Sequence, residues 1–191
     1  MALTLILAST SPRRHALLEQ IGLVPDVIAA PDIDETPHRA ELPRVYALRM
    51  AAAKAAAVPR GDGAVVLAGD TVVAAGRRIL PRAADAGEVT ACLRLLSGRR
   101  HRVLSAIAVI DADGMMRTRL SETIVAFKRL SDAEIAAYAA SGEGEGKAGG
   151  YAVQGRAAAF VRLIGGSYSG VVGLPLFETA ALLAAAGITG A

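Results

Sequence analysis

The 191-residue chain contains no tryptophan, only three phenylalanines and four tyrosines, and a single cysteine. So few flat side chains exclude a surface of aromatic platforms on which single-stranded nucleic acid could stack, and no nucleic-acid partner is expected. They also leave the core to be built from Ala, Val, Leu and Ile. The lone cysteine, Cys92, excludes an internal disulfide; on a predicted helix it reads as a small core residue. No apolar run approaches the roughly 20 residues needed to cross a bilayer, so no membrane partner is expected either. No charged region precedes the short apolar stretch at the N-terminus, so a secretory signal is not expected and the protein is read as cytoplasmic. A strong excess of one charge is missing too. The net charge is +3, with Lys and Arg spread along the chain, which suits an anionic small molecule better than a nucleic-acid track. A pI of about 9.3 and the cluster Arg99-Arg100-His101-Arg102 point the other way. There is no internal repeat and no linker, and the length fits one domain spanning 1–191.

What is present is an alternation of strand and helix signals. Leu3 to Ala8 is an apolar run rich enough for a buried strand, and it leads into Ser9-Thr10-Ser11-Pro12-Arg13-Arg14. Ser11 is placed to cap the next helix, Pro12 fits its first turn, and Gly22 stops it. Two arginines beside the free amides of a helix N-terminus make a place for an anion. A phosphate cradle and a solvated arginine pair are equally good readings of it. Residues 26–30 read as a strand, 31–37 as an acidic loop bounded by prolines, and 43–58 as an Ala-rich helix. A second apolar strand, 64–68, ends at Gly69-Asp70-Thr71, with 72–74 carrying on and 78–80 returning after a turn at Gly76. Asp85 with Glu88 and Ser131 with Glu134 form capping-box patterns for helices to Leu96 and Ala140. Between them, 101–110 and 116–127 alternate as two long strands joined at Asp113-Gly114. A glycine-rich loop at 142–150, a strand at 159–164 and a helix at 175–186 complete the pattern.

Four charged groups stand out, each with a plainer alternative. Asp70, at a strand end where α/β sheets place ligands, is either a turn residue or a base and metal ligand. Asp32, Asp34 and Glu35 either hold a divalent cation through oxygen or form a solvated acidic loop. Lys54 is either a site residue or a lysine snorkelling from a half-buried helix face. Lys147 and Gln154 flank glycines that would let a ligand approach the backbone closely, or that simply loosen a surface loop.

These groups fall in ordered blocks. They are the Leu5-to-Arg14 segment, Leu48-Arg49 through Lys54-Ala55, Gly69-Asp70-Thr71-Val72-Val73, and Leu95-Leu96-Ser97-Gly98-Arg99 with His101-Arg102-Val103. Lys147-Ala148-Gly149-Gly150-Tyr151-Ala152-Val153-Gln154-Gly155 follows. The last runs from Gly166-Ser167-Tyr168 to Val172-Gly173-Leu174-Pro175-Leu176, with Glu178-Thr179. In these blocks the chain resembles the Maf family of nucleoside triphosphate pyrophosphatases over essentially its full length.

The resemblance implies an α/β fold, with a bent mixed β-sheet flanked by helices and two lobes around a deep cleft, in a homodimer. It implies hydrolysis of a nucleoside triphosphate to the monophosphate and pyrophosphate with a divalent metal, Mg2+ or Mn2+. Carried over position by position, Asp70 is the proton acceptor, and Asp34, Glu35 and Asp70 hold the metal. Ser9, Arg13, Arg14, Lys54, Arg82 and Lys147 bind the phosphates, and Thr71 and Gln154 with Arg13 select the base. At these three positions the chain sides with the branch acting on dTTP and UTP rather than with the branch acting on 7-methyl-GTP. A nucleotide-binding regulator of septum formation is the rival without catalysis. Two departures stand out. Pro81-Arg82-Ala83 replaces Gly-Lys-Pro, and Gly144 and Gly146 replace Pro and Asp, which puts the rigidity of the substrate loop in question.

Overall fold

A computed structural model of the protein describes residues 3–190. Strand β1 (Thr4–Ala8) is followed by helix α1 (Pro12–Gln20), the two-residue strand β2 (Val27–Ile28) and the long helix α2 (Pro43–Ala56). Next come β3 (Ala64–Ala75), β4 (Arg78–Leu80), α3 (Ala86–Leu96), and the long pair β5 (Arg100–Ile110) and β6 (Met116–Phe127). Helix α4 (Asp132–Ala140), β7 (Val161–Gly165), the short helix α5 (Tyr168–Val172) and α6 (Leu176–Ala185) complete the chain. The strands form one mixed sheet in the order β2-β1-β3-β5-β6-β7, with β4 on β3. Only β2-β1-β3 is parallel; every other pairing is antiparallel.

β3 organises the molecule. Its side toward β5 is paired continuously from Val66 to Ala74. Its other side meets β1 from Ala64 to Ala68 and β4 from Val73 to Ala75. Residues 69–72 therefore face a gap in the ladder, where β1 has already turned away at Ser9. Alternation along the strand assigns the two faces. Ala64, Val66, Ala68, Val72 and Ala74 pack with Ala47, Met50, Ala51 and Ala55 of α2. Val65 and Leu67 pack on the opposite face with α1 and α6, and Val73 joins a third cluster with α3 and α4.

Several expectations are corrected. Asp70 lies in the middle of a strand rather than at its end; the carboxyl end that opens a site here belongs to β1, its neighbour. Residues 159–164 are not one strand. Arg156–Phe160 is a tight 3-10 turn that puts Ala157 and Phe160, three residues apart, into the core, and only then does β7 begin. Helix α5 is too short to show a period, although Ser167 caps it through the Gly170 amide. Ser11 occupies the position before α1 but makes no side-chain cap. Ser131 and Glu134 form the reciprocal box, whereas Glu88 turns to the Ala84 amide instead of Asp85. Cys92 is buried, as expected. The basic cluster at 99–102 is not one face, because Arg100 and Arg102 point outward while His101 is buried.

The core is also less purely aliphatic than composition suggests. Phe127, Tyr138, Tyr151 and Phe160 form a run of edge-on contacts with His101 in one cluster. His101 Nε2 lies 2.8 Å from the Tyr151 hydroxyl, and burial pushes the imidazole down to about 4. Its neutral form thus supports the fold fully above the ordinary value near 6.5, and that support is lost as pH falls toward 4. His101→Phe is expected to flatten the dependence of urea-unfolding stability on pH between about 6.5 and 4. An unchanged slope would show that this imidazole does not set it.

Candidate active site

The ladder gap at 69–72 is the floor of the site. Asp70 is in phase with the residues facing α2, and the residue it meets there is Lys54. The Lys54 ammonium lies 2.7 Å from Asp70 Oδ1 and 2.9 Å from Glu35 Oε1. Lys54 and Asp70 are 4% and 2% exposed, so this is a buried ion pair and not a snorkelling lysine. Arg82 closes the group from the β4 side, 3.4 Å from Asp70 and 3.8 Å from Glu35. Burial works to raise the Glu35 carboxyl, but Lys54, Arg82 and Arg14 together hold it below its usual range.

Helix α2 also fixes the acidic loop that carries Glu35. The Tyr46 hydroxyl donates to the Glu35 carbonyl at 2.8 Å. Burial, with Asp70 and Glu35 nearby, pushes that phenol up to about 12, so it remains a donor. Arg49 grips both Glu41 oxygens and reaches the Thr36 carbonyl. Asp34 is not brought into the cluster: its carboxylate accepts from the Thr36 amide at 2.8 Å and caps its own loop. Glu35 and Asp70 are thus the carboxylates that could share a cation. Among the described residues no group of three or more His, Cys, Asp and Glu could hold a metal. Two carboxylates match the sparse protein ligation of a hard divalent cation that keeps the rest of its shell.

On the other side of Thr71 and Arg82 lies a second chamber, lined by Arg13, Arg14, Lys147 and Gln154. Thr71, Arg82 and Ala148 border both this space and the one holding Glu35 and Asp70. Arg14 is buried against the strand at Gly69, where a β-carbon would stand 3.5 Å from its Nε. Arg14 donates to the Gly173 carbonyl at 2.9 Å and to Ser9 Oγ at 2.9 Å. Ser9 thereby positions Arg14. Arg13 Nε donates to the Val172 carbonyl at 3.2 Å. Burial lowers Arg13, Arg14 and Lys147, Arg14 to about 10, and repulsion from neighbouring cations adds to it at each. Counting both chambers, among the described residues Arg13, Arg14, Lys54, Arg82 and Lys147 oppose only Glu35 and Asp70. Such a surplus of partly desolvated positive charge is what a polyphosphate would relieve.

The glycine-rich loop is firmly held, which answers the question raised by Gly144 and Gly146. Gly146 and Gly149 donate to the Ala83 and Pro81 carbonyls at 2.7 and 2.9 Å, and Ala83 donates to Lys147 at 3.2 Å. These bonds clamp the loop onto Pro81-Arg82-Ala83 and carry Lys147 over the chamber. At Gly144 a β-carbon would stand 2.4 Å from the Gly150 carbonyl. Gly144→Ala is therefore expected to destabilise the protein by about 1–3 kcal/mol, the usual cost of overpacking, measured as a lower urea midpoint. A midpoint equal to wild type would mean the loop yields freely.

The structure brings Ser9, Arg13, Arg14, Lys54, Asp70, Thr71, Arg82, Lys147, Gln154 and Glu35 around one cleft. Tyr46, Ser105 and Gly173 also shape it and were given no role from the sequence. Tyr46 falls on the α2 face one turn from Met50, which is the signal it offers; the other two act only through contacts distant in the chain.

The chain is similar to proteins of known class. The model of the Maf family, described as Maf-like protein, matches residues 4–186. The dTTP/UTP pyrophosphatase of Sphingopyxis alaskensis is 62% identical over 184 residues, covering 96% of this chain and 97% of that protein. The dTTP/UTP pyrophosphatase of Rhodospirillum rubrum is 65% identical over 184 residues, with 96% and 88% covered. A solved dITP/XTP pyrophosphatase from Mycobacterium abscessus overlaps more loosely, with a TM-score of 0.43 and 21% identity over 67% of this chain and 76% of that one. A family match that spans the sheet, the cleft and the closing helix makes the chain a member of the Maf family.

Proposed function

We propose that this protein hydrolyses nucleoside triphosphates to the monophosphate and pyrophosphate, with dTTP and UTP preferred. The observation that carries the proposal is the junction at Thr71 and Arg82, where a chamber lined by Arg13, Arg14 and Lys147 opens onto two carboxylates. Attack at the α-phosphorus needs an oriented water, a proton acceptor and neutralised phosphate charge. Asp70, fixed by Lys54 and Arg82, orients the water and takes up its proton. Lys54 and Arg82 stand on the side from which negative charge develops, and Arg13, Arg14 and Lys147 stabilise the departing pyrophosphate. A divalent cation held by Glu35 and Asp70 would supply charge neutralisation at the phosphate oxygens. Gln154, at the open side of the chamber, offers an amide that can donate to a ring carbonyl of uracil or thymine and leave the imide N–H to a second acceptor. A cytoplasmic homodimer belongs to the same reading, on the family resemblance.

The test is a panel of dTTP, UTP, ATP, GTP and 7-methyl-GTP, scored by pyrophosphate release from the purified protein. The expected result is a kcat/KM for dTTP and UTP above the others by roughly ten- to a hundred-fold, the range set by one mismatched hydrogen-bonding group. A preference for 7-methyl-GTP would move the protein to the other branch. Tight nucleotide binding without turnover would favour a regulator instead.

A further inference from the structure

Thr71 and Ser105 are direct register partners across β3 and β5, with their hydroxyls 3.1 Å apart. Ser105 is almost fully buried and its hydroxyl donates to the Gly170 carbonyl in α5. A hydroxyl carries one proton and a carbonyl can only accept. The Ser105 proton is therefore committed, and the bond between the two hydroxyls has to be donated by Thr71. The other polar neighbour of Thr71 is the Gly173 carbonyl at 3.4 Å, which again requires Thr71 to donate. Both uses commit the Thr71 proton to partners within the protein. Thr71 lines both chambers of the cleft, and with its proton committed a ligand group that reaches its hydroxyl meets lone pairs only.

We propose that Ser105 is a positioning residue that fixes Thr71 as a hydrogen-bond acceptor, so that the cleft selects a nucleotide group able to donate. The proposal rests on the reading of the cleft as a nucleotide site and adds to it the polarity of one contact. Two nucleotide groups have the required chemistry, the imide N–H of uracil or thymine and a ribose hydroxyl. An acceptor-only group in the same place, such as the bare ring nitrogen of cytosine, sets lone pair against lone pair and is rejected.

The experiment compares kcat/KM of wild type and Ser105→Ala for UTP, CTP and 3′-O-methyl-UTP. Loss of the Ser105 oxygen leaves only the longer bond to Gly173, so the Thr71 hydroxyl is free to turn and donate to a ligand. If the imide is the donor, the ratio of UTP to CTP falls at least about tenfold, the size of one mispaired hydrogen bond. If the ribose is the donor, the ratio of UTP to 3′-O-methyl-UTP falls instead. Ser105→Thr, which keeps the hydroxyl, is expected to retain the wild-type ratios. A purely structural role would lower activity on all three substrates alike, so unchanged ratios in Ser105→Ala overturn the proposal. Should that variant fail to fold, Ser105→Cys, whose thiol is a weak hydrogen-bonding group, is expected to shift the same ratio, and its failure to do so has the same consequence. A wild-type protein that hydrolyses none of these nucleotides overturns the reading of the site itself, and this proposal with it.

Discussion

Asp70→Asn is expected to lower kcat for pyrophosphate release by a factor on the order of 10²–10⁴, the range for loss of a positioned proton acceptor. Nucleotide affinity is expected to stay within about tenfold, because the phosphates are held by Arg13, Arg14 and Lys147 in the neighbouring chamber. The substitution is nearly isosteric. It leaves an amide oxygen where Oδ1 accepts from Lys54 at 2.7 Å, and Lys54 keeps Glu35 as a partner at 2.9 Å. What disappears is the negative charge and the basicity. Single-turnover assays combined with calorimetric titration of a non-hydrolysable dUTP analogue separate the two effects. Activity within a few-fold of wild type would remove Asp70 from the chemistry and leave it as the buried partner of Lys54.

The parts of this site legible in the sequence are those encoded locally. The apolar run before Ser9, the proline opening α1 and the glycines around Lys147 each announce a strand end, a helix start or a close backbone approach. The Lys54 partnership was not legible in that way. An alanine-rich helix gives no sign of which lysine is buried, and Asp70 lies 16 residues away in the chain. Its position in mid-strand was hidden for a related reason. Whether a strand has ended depends on its neighbours, and β3 continues past the point where β1 stops. Asp34 and Glu35 show the same limit from the other side. Adjacent carboxylates in one acidic loop read alike, yet Tyr46 and Lys54 draw Glu35 inward while Asp34 turns to the Thr36 amide. Family resemblance closed much of this distance, because a pattern shared by a family already encodes contacts that composition and periodicity do not.

Lys54→Met carries the largest expected effect on stability. The methionine keeps the apolar stem and removes only the ammonium, so Asp70, 2% exposed, loses its closest partner. Breaking a buried pair by deleting one member typically costs about 3–5 kcal/mol, because the other charge is left uncompensated. Arg82 remains at 3.4 Å from Asp70 with its side chain half exposed, which places the expected loss near the lower end, about 3 kcal/mol. Glu35 contributes little, since its side chain is 42% exposed and water replaces the lost partner. The double variant Lys54→Met/Asp70→Asn removes the uncompensated charge and is expected to recover at least half of the loss while remaining inactive. Urea-unfolding midpoints of the four proteins, read beside pyrophosphate release, form the cycle. Recovery of stability in the double variant assigns the Lys54→Met loss to the uncompensated Asp70 charge, and a weaker nucleotide affinity of Lys54→Met with Asp70 intact reports the separate task of meeting phosphate charge in the filled cleft. A Lys54→Met loss below about 1 kcal/mol would instead assign the pair the strength of a surface ion pair, and Asp70 would then owe its position to the strand alone.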